Sequence, residues 1–443
     1  MPIAIILALY ASRMMGLFIV LPVLALATAG MPGYSPLLLG LAIGVYGLTQ
    51  AVLQVPLGQL SDRIGRFKIV FVGLLVFALG SWWCAQADTM LELVLGRALQ
   101  GAGAISSSLL AWVVDLTGEE RRARVMAVIG ISIGLTFLAS LVLGPALMPW
   151  RGLSGLFELT AGLAVLAALL SCLLPRPAPI RALGAVFSAQ RVAEVWRAPG
   201  VASSVIGVGL LHAVLMALFL ALPMQLVDAG IVADDHTGLY MIVMLLGAVP
   251  AFLATGWVEA RHRLVSGQRV AIAGLIAGFA LLALGLNQYW MFVLAGALFF
   301  FGFNLLEATL PSLLAKAAPI RDRGTATGLY ASVQFFGAFV GGLLGGPLLG
   351  ALGSSGLFVA LALCGCIWLA LRYRTAEPPR LRSRVVGIDL SALSVDAWET
   401  QLRRVTGVAE AAVSPAGSVA YLKVSKDALD ESELADLLNQ RPG

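Results

Sequence analysis

The amino-acid sequence predicts an all-α polytopic membrane protein, with twelve transmembrane helices in two six-helix halves and a small α+β soluble tail. Three observations predict it. The 443 residues are 59% hydrophobic and 12% charged, whereas soluble domains carry about a quarter charged residues. The apolar runs recur at the ~20-residue length that a helix needs to cross a bilayer. After Arg374 the composition changes to short polar and alternating segments.

Taken in order, the first span is expected from near Ile3 to Ala29 and the second from Pro36 to Leu60. The third covers Phe67 to Ala87, the fourth Met90 to Leu116, the fifth Arg124 to Met148 and the sixth Gly152 to Leu174. This first half (1–174) is followed by a polar linker (175–199), PRPAPIRALGAVFSAQRVAEVWRAP, read as cytoplasmic with a short amphipathic surface helix. The second half (200–373) holds span seven (Val201 to Val227), eight (Thr237 to Val258) and nine (Val270 to Leu286). Spans ten (Tyr289 to Ala315), eleven (Gly324 to Leu352) and twelve (Ser355 to Leu371) complete it. Ser108-Leu109-Leu110-Ala111 near the end of span four recurs as Ser312-Leu313-Leu314-Ala315 near the end of span ten, which sets the halves in parallel. A Pro-containing linker (374–383) leads to the tail (384–443). There VVGIDL, GVAEAAVS and SVAYLKVS read as strands, and SVDAWETQLRRV and ESELADLLN as amphipathic helices. The order βαββα suggests a ferredoxin-like domain. Only QRPG follows Asn439, so either the sheet has three strands or the chain is cut short.

The net charge of +5 is concentrated in short loops. Arg121, Arg122 and Arg124 fill one, Arg261, Arg263 and Arg269 another, and Lys316, Arg321 and Arg323 a third, while the intervening loops are almost free of Lys and Arg, Arg151 excepted. Positive charge stays inside, so both termini are expected in the cytoplasm. This charge reports orientation, not nucleic-acid binding. The first apolar segment lacks a basic start and a clear cleavage site, and reads as a retained helix. The four cysteines all fall in apolar runs and read as packing residues rather than disulfides or metal ligands. The tail has no Cys, which argues against copper or zinc transfer and leaves regulation or docking. No cofactor or metal is expected. With no Ser-His-Asp or Cys-His set and no phosphate loop, an enzyme is not expected either.

Charged and polar residues inside the membrane are expensive and mark candidate sites. Glu307 in span ten is the leading one, because a carboxyl in low dielectric can exchange its proton near neutral pH. Asn304, one turn away, is placed to bind substrate or to orient the acid. Glu158 in span six is a second proton candidate, with a surface pair to Arg151 as its bland reading. His212 in span seven has a proton relay's range, set against a simple hydrogen-bonded role. Arg13 in span one is balanced between snorkelling to the surface and a place in the cavity. Tyr46, Gln50 and Gln54 form a polar stripe at helical spacing on span two, suited to lining a cavity with Gln334 of span eleven.

Between spans two and three lies GQLSDRIGRFK, a charged turn in which Gly65 can take positive φ. Gly58, Leu60, Asp62, Arg63, Gly65 and Arg66 match the loop motif G-x-L-a-D-R-x-G-R-K, and the sequence resembles the major facilitator superfamily in this. Phe67 departs from that motif's basic position, which Lys68 can fill. The resemblance implies that Asp62 and Arg63 form a charge cluster with Asp115 at the end of span four, and that the motif acid caps span eleven. The cluster would latch the halves in the outward-facing state. GRALQGAGA, with Arg97, Gln100, Gly101 and Gly103, is similar to the superfamily's fourth-helix pattern, implying that Arg97 faces the cavity and is linked to proton coupling. Gly130, Gly134, Gly144 and Pro145 loosely resemble the antiporter motif of span five.

RMMGLFIVLPVLAL, GVYGLTQAVLQVPLGQLSDRIGR, FNLLEATLPSLLA and the tail together resemble the YajR-type drug efflux transporters, which pair twelve helices with a ferredoxin-like domain. Proton-driven export of small amphipathic molecules from the inner membrane is what that implies, with lipid, protons and a small-molecule substrate as partners and a monomer as the expected state. Many such antiporters carry an acid in span one where this chain has Arg13. A proton symporter for a small polar solute and a sensor using the tail as output remain the alternatives.

Overall fold

A computed structural model describes residues 2–117, 119–176, 189–198, 200–231, 233–379, 381–390, 393–414, 418–425 and 428–439. Span one is Pro2–Phe18 continued by Leu21–Ala27, with its break just ahead of Pro22. Span two is Pro36–Ile64, started by Ser35, whose Oγ accepts from Leu38 N at 3.2 Å. Span three is Arg66–Ala85, and span four is Met90–Ala102 followed by Ser106–Leu116. Span four opens on a reciprocal cap between Thr89 and Glu92.

Two continuous helical stretches are too long for one crossing: Glu119–Ser171, of 53 residues, and Arg323–Tyr373, of 51. A straight helix of 51 residues would run about 77 Å, more than twice the ~30 Å hydrocarbon thickness. Each is broken where a glycine takes a positive φ, Gly152 (+61°) and Gly353 (+67°). These positions divide the stretches into spans five and six and spans eleven and twelve. Spans seven to ten are Val201–Asp228, Ala233–Ala260, Leu264–Ala283 and Tyr289–Ala317. Span nine starts at Leu264 rather than Val270, because the polar group Ser266, Gln268 and Arg269 finds partners inside the protein and need not stay in a loop.

The outer faces are apolar, as lipid requires: Leu79, Leu245, Phe252 and Ile367 are exposed. Polar side chains turn inward. The two halves meet along spans two and eleven, where a Cβ on Gly40 would lie 2.1 Å from Gly342 O and one on Gly342 2.3 Å from Gly40 O. Only residues without side chains let these backbones approach so closely. Similar contacts join Gly44 to Phe339, Gly47 to Phe335 and Gly346 to Pro36, all in the parts of the two spans remote from the 58–68 turn. Phe137 of span five reaches Phe303 of span ten with ring centroids 5.5 Å apart and extends the seam.

The linker helix Ala189–Arg197 buries Val195 and leaves Trp196 exposed, the two-faced character its sequence predicts. In the tail, β1 (Leu381–Gly387), β2 (Val408–Ser414) and β3 (Val419–Ser425) form an antiparallel sheet in the order β1-β3-β2. Helices Val395–Arg404 and Glu431–Asn439 close its hydrophobic core around Trp398, Leu402 and Leu422. Because β3 lies between β1 and β2, the first helix makes the split crossover of a ferredoxin-like arrangement. The QRPG segment after Asn439, where a ferredoxin-like sheet would place its closing strand, lies outside the described residues.

Among the described residues, the linker and the sheet each hold the tail to the membrane domain. Glu377 in the linker caps span nine, accepting from Val265 N at 2.9 Å and Ser266 N at 2.8 Å. Lys423 on β3 donates to Ala318 O at 2.7 Å and Lys316 O at 3.1 Å, at the end of span ten, and pairs with Glu410 at 3.1 Å.

Candidate functional site: a polar seam between the halves

On the second half, Glu307 of span ten, Gln334 of span eleven and His212 of span seven converge. Gln334 Nε2 donates to Glu307 Oε1 at 3.3 Å and lies 2.8 Å from His212 Nε2. His212 Nδ1 is 3.1 Å from Val208 O. A carbonyl only accepts, so Nδ1 carries the ring proton and Nε2 accepts from the Gln334 amide. Glu307 Oε2 lies 4.0 Å from His212 Nε2 and has no hydrogen-bond partner among the described residues. The arrangement therefore leaves one buried oxygen of Glu307 without a donor beside the imidazole. Asn304 does not orient the acid. Its amide turns back to Phe300 O at 2.7 Å, as a short polar side chain does inside an apolar helix, and Gln334 takes that place.

On the first half the polar residues are more deeply packed. Arg13 donates to Ser106 Oγ and, at 2.6 Å, to Gln50 Oε1. Gln50 Nε2 donates to Gly101 O at 2.8 Å and reaches Tyr46 Oη at 3.4 Å. The Tyr46 ring lies 5.1 Å from the Arg97 guanidinium, which donates to Ala42 O and to Gln100 Oε1. Gln100 in turn donates to Ser81 at 2.8 Å. Arg13 is 2% exposed and Arg97 is fully buried, so Arg13 is an interior residue and does not snorkel. It lies 5.9 Å from the Phe335 ring of span eleven, next to Gln334. Gln54 is also buried, with Oε1 unpartnered among the described residues. The stripe Tyr46-Gln50-Gln54 thus faces spans one and four.

The structure separates other candidates from this group. Glu158 pairs with the exposed Arg151 at 2.5 Å, on either side of the Gly152 turn. At the 58–68 turn, Gly65 has φ +101° and starts span three. Here the sequence expectation needs correction in one residue: Arg66, not Arg63, bridges the acids. Arg66 pairs with Asp62 and, at 3.1 Å, with Asp115, and it donates to Ser61 at 2.8 Å. Arg63 is exposed. Gly58 is closely approached by Ser107 of span four, and Gly144 of span five by Ile19, whereas Gly130 and Gly134 face open space.

Sequence reasoning missed a third buried arginine. Arg372, near the end of span twelve, donates to Ser203 Oγ of span seven and Gln268 Oε1 of span nine. The sequence expectation ends span twelve at Leu371, one residue before it. Among the described residues no cluster of His, Cys, Asp and Glu is arranged to hold a metal.

Comparison with known proteins assigns the family. Residues 6–265 and 205–419 match the Major Facilitator Superfamily profile. The chain is 36% identical over 435 residues to the inner membrane transport protein YajR of Escherichia coli (strain K12), covering 97% of this chain and 95% of that one. It is 26% identical to the multidrug resistance protein MdtH of Aeromonas salmonicida (strain A449), over 75% of this chain and 82% of that one. The crystal structure of the nucleoside transporter NupG superimposes with a TM-score of 0.66 at 14% identity, covering 84% of this chain and 100% of that one, which speaks to the fold. The chain belongs to the major facilitator superfamily and is a multi-pass inner-membrane transporter, not an enzyme.

Proposed function

We propose that the protein is a proton-coupled exporter of small amphipathic molecules that works as a monomer by alternating access, with both termini in the cytoplasm. The observation that carries the proton coupling is the Glu307–Gln334–His212 group on three different spans. Gln334 donates to both neighbours at once, so a proton added to His212 Nε2 would face another donor. The open Glu307 Oε2 faces none, and it is the atom that takes the proton. Neutralising that carboxylate removes its hold on Gln334 and frees span eleven to shift against span ten. Arg13, Gln50, Tyr46 and Arg97 form the opposing wall.

The export direction is supported by the name of the relative MdtH. The halves are sealed along spans two and eleven away from the basic loops, as expected of a cytoplasm-facing state. In that state Asp62, Arg66 and Asp115 form a cluster inside the first half, ready to engage span eleven when the cytoplasmic side closes.

Proton release tests the reading. Adding a panel of amphipathic drugs to weakly buffered, purified protein is expected to release protons from the wild type and not from Glu307→Gln. Release that survives this substitution would move the proton site elsewhere.

A further inference from the structure

The first half encloses two guanidinium groups in the membrane interior, and neither has a carboxylate within ion-pair distance among the described residues. Arg66, Arg151 and Arg384, which lie at the surfaces, all have one. The membrane-buried pair instead donates only to neutral acceptors: Ser106 and Gln50 for Arg13, the Ala42 carbonyl and Gln100 for Arg97. Each also retains a buried nitrogen without a hydrogen-bond partner, Nε of Arg13 and Nη2 of Arg97.

Arginine stays cationic and withdraws from water only at a cost that a counter-charge offsets. Here none is built into the half that holds the charges. Gln50 couples the two, since it accepts from Arg13 and lies against Tyr46, whose ring faces Arg97. The pair therefore forms one cationic region rather than two separate charges. Arg13 is at the seam, covered by Phe335 of the other half. Parting of the halves would expose Arg13 at the seam, with the Phe335 ring on the facing half. Arg97 stays behind Tyr46 as a positioning residue that supplies charge and holds the ring. Such a surface suits a planar, aromatic molecule with a negative group, because guanidinium binds carboxylates and sulfonates bidentately and rings stack on rings.

We propose that the substrate is an aromatic organic anion whose carboxylate or sulfonate binds Arg13 at the seam, backed by Arg97. This rests on the reading of the seam as the transport cavity. Among small amphipathic molecules it disfavours lipophilic cations, which two unpaired arginines would repel.

Two dyes on the same xanthene scaffold test it. Anionic carboxyfluorescein and a cationic tetramethylrhodamine ester are titrated into the purified full-length protein, and binding is read by fluorescence anisotropy at constant pH. The anion is expected to bind at least about tenfold more tightly. Arg13→Gln is expected to weaken the anion by about tenfold while leaving the cation unchanged or improved. Arg97→Lys, which keeps the backing charge, is expected to retain most of the anion affinity, Arg13→Lys only part of it because the bidentate fork is lost, and thermal melting of each variant separates loss of binding from loss of fold. Preference for the cation, equal binding of both dyes, no binding of either, or wild-type anion binding by a folded Arg13→Gln would each overturn the proposal. Equilibrium binding needs no proton gradient. Anion preference without drug-induced proton release would therefore remove only the proton coupling, and proton release without anion preference would remove only this inference.

Discussion

Arg13 and Arg372 make the same contacts in different places. Each is 2% exposed, each donates to a glutamine Oε1 and a serine Oγ on two other spans, and each keeps an unpartnered Nε. Arg13 does so at the seam, with an aromatic ring of the opposite half beside it. Arg372 does so near the end of span twelve, where every partner belongs to its own half. Beside it Arg269 holds the following turn through Thr375 O at 3.0 Å, and its guanidinium lies 4.8 Å from the Tyr373 ring. The comparison teaches that the triad is a way of keeping an arginine inside the membrane, and that its surroundings decide what the charge does. At the seam it is available to a moving partner. At the span end it fastens three helices together.

The sharpest way to break the comparison is to exchange the effects. Arg13→Gln is expected to lower transport per folded molecule by tenfold or more, about 1.4 kcal/mol or above. Transport at the wild-type level in a vesicle assay would place Arg13 with Arg372 as a fastener. Both substitutions are expected to lower stability by about 2 kcal/mol, the scale for losing hydrogen bonds from a charged group, but with Arg372→Gln transport per folded molecule changes little. Denaturant or thermal unfolding with matched transport measurements decides it.

A smaller effect is expected next to the second triad. Glu377→Gln takes a charged acceptor from the start of span nine, at a cost of about 1 kcal/mol. Limited proteolysis should then cut the 374–383 linker faster, and an unchanged rate would mean that the cap does not fasten it. The smallest effect is expected in the tail, away from both arginines. Hydrogen bonds from the Ser432 hydroxyl and from the Glu433 and Ser432 amides hold the Asp430 carboxyl below its ordinary range. A carboxyl so depressed stabilises the fold above its unfolded-state value, and that contribution is lost as pH falls through the lower folded-state value. Protection factors of the tail-helix amides, corrected for the intrinsic pH dependence of exchange, should therefore fall on acidification, and Asp430→Asn should flatten that response.

The spans were legible because lipid leaves few choices. An apolar run of the right length becomes a helix, and glycine-bearing breaks such as those at Gly152 and Gly353 mark where the chain turns back. The tail's strands were legible from alternation, but its order β1-β3-β2 rests on pairing between distant segments. The individual partners were less readable. Glu307 stood out as an acid in an apolar helix, yet its holder, Gln334, lies on another span, and the nearby Asn304 was the more obvious choice by spacing. At the 58–68 turn the four-residue interval from Asp62 to Arg66 did carry the signal. An i, i+4 pair survives there because span three restarts immediately after Gly65. Ser203, Gln268 and Arg372 gave no local signal, since each is ordinary in its own segment and only the packing of spans seven, nine and twelve brings them together.

Lys423 sits almost wholly out of solvent on the last carbonyls of span ten, while Glu410 also accepts from Ile320 N at 3.2 Å. With Glu377 gripping span nine, the tail is a passenger bolted to one leaf of a two-leaf hinge. If the halves rock as the proposed alternating access requires, the tail moves with the second half. A pair of spectroscopic labels on the tail and the second half would then keep a constant separation. The same tail label paired with one on the first half would report each stroke of the cycle, at a site that no substrate touches.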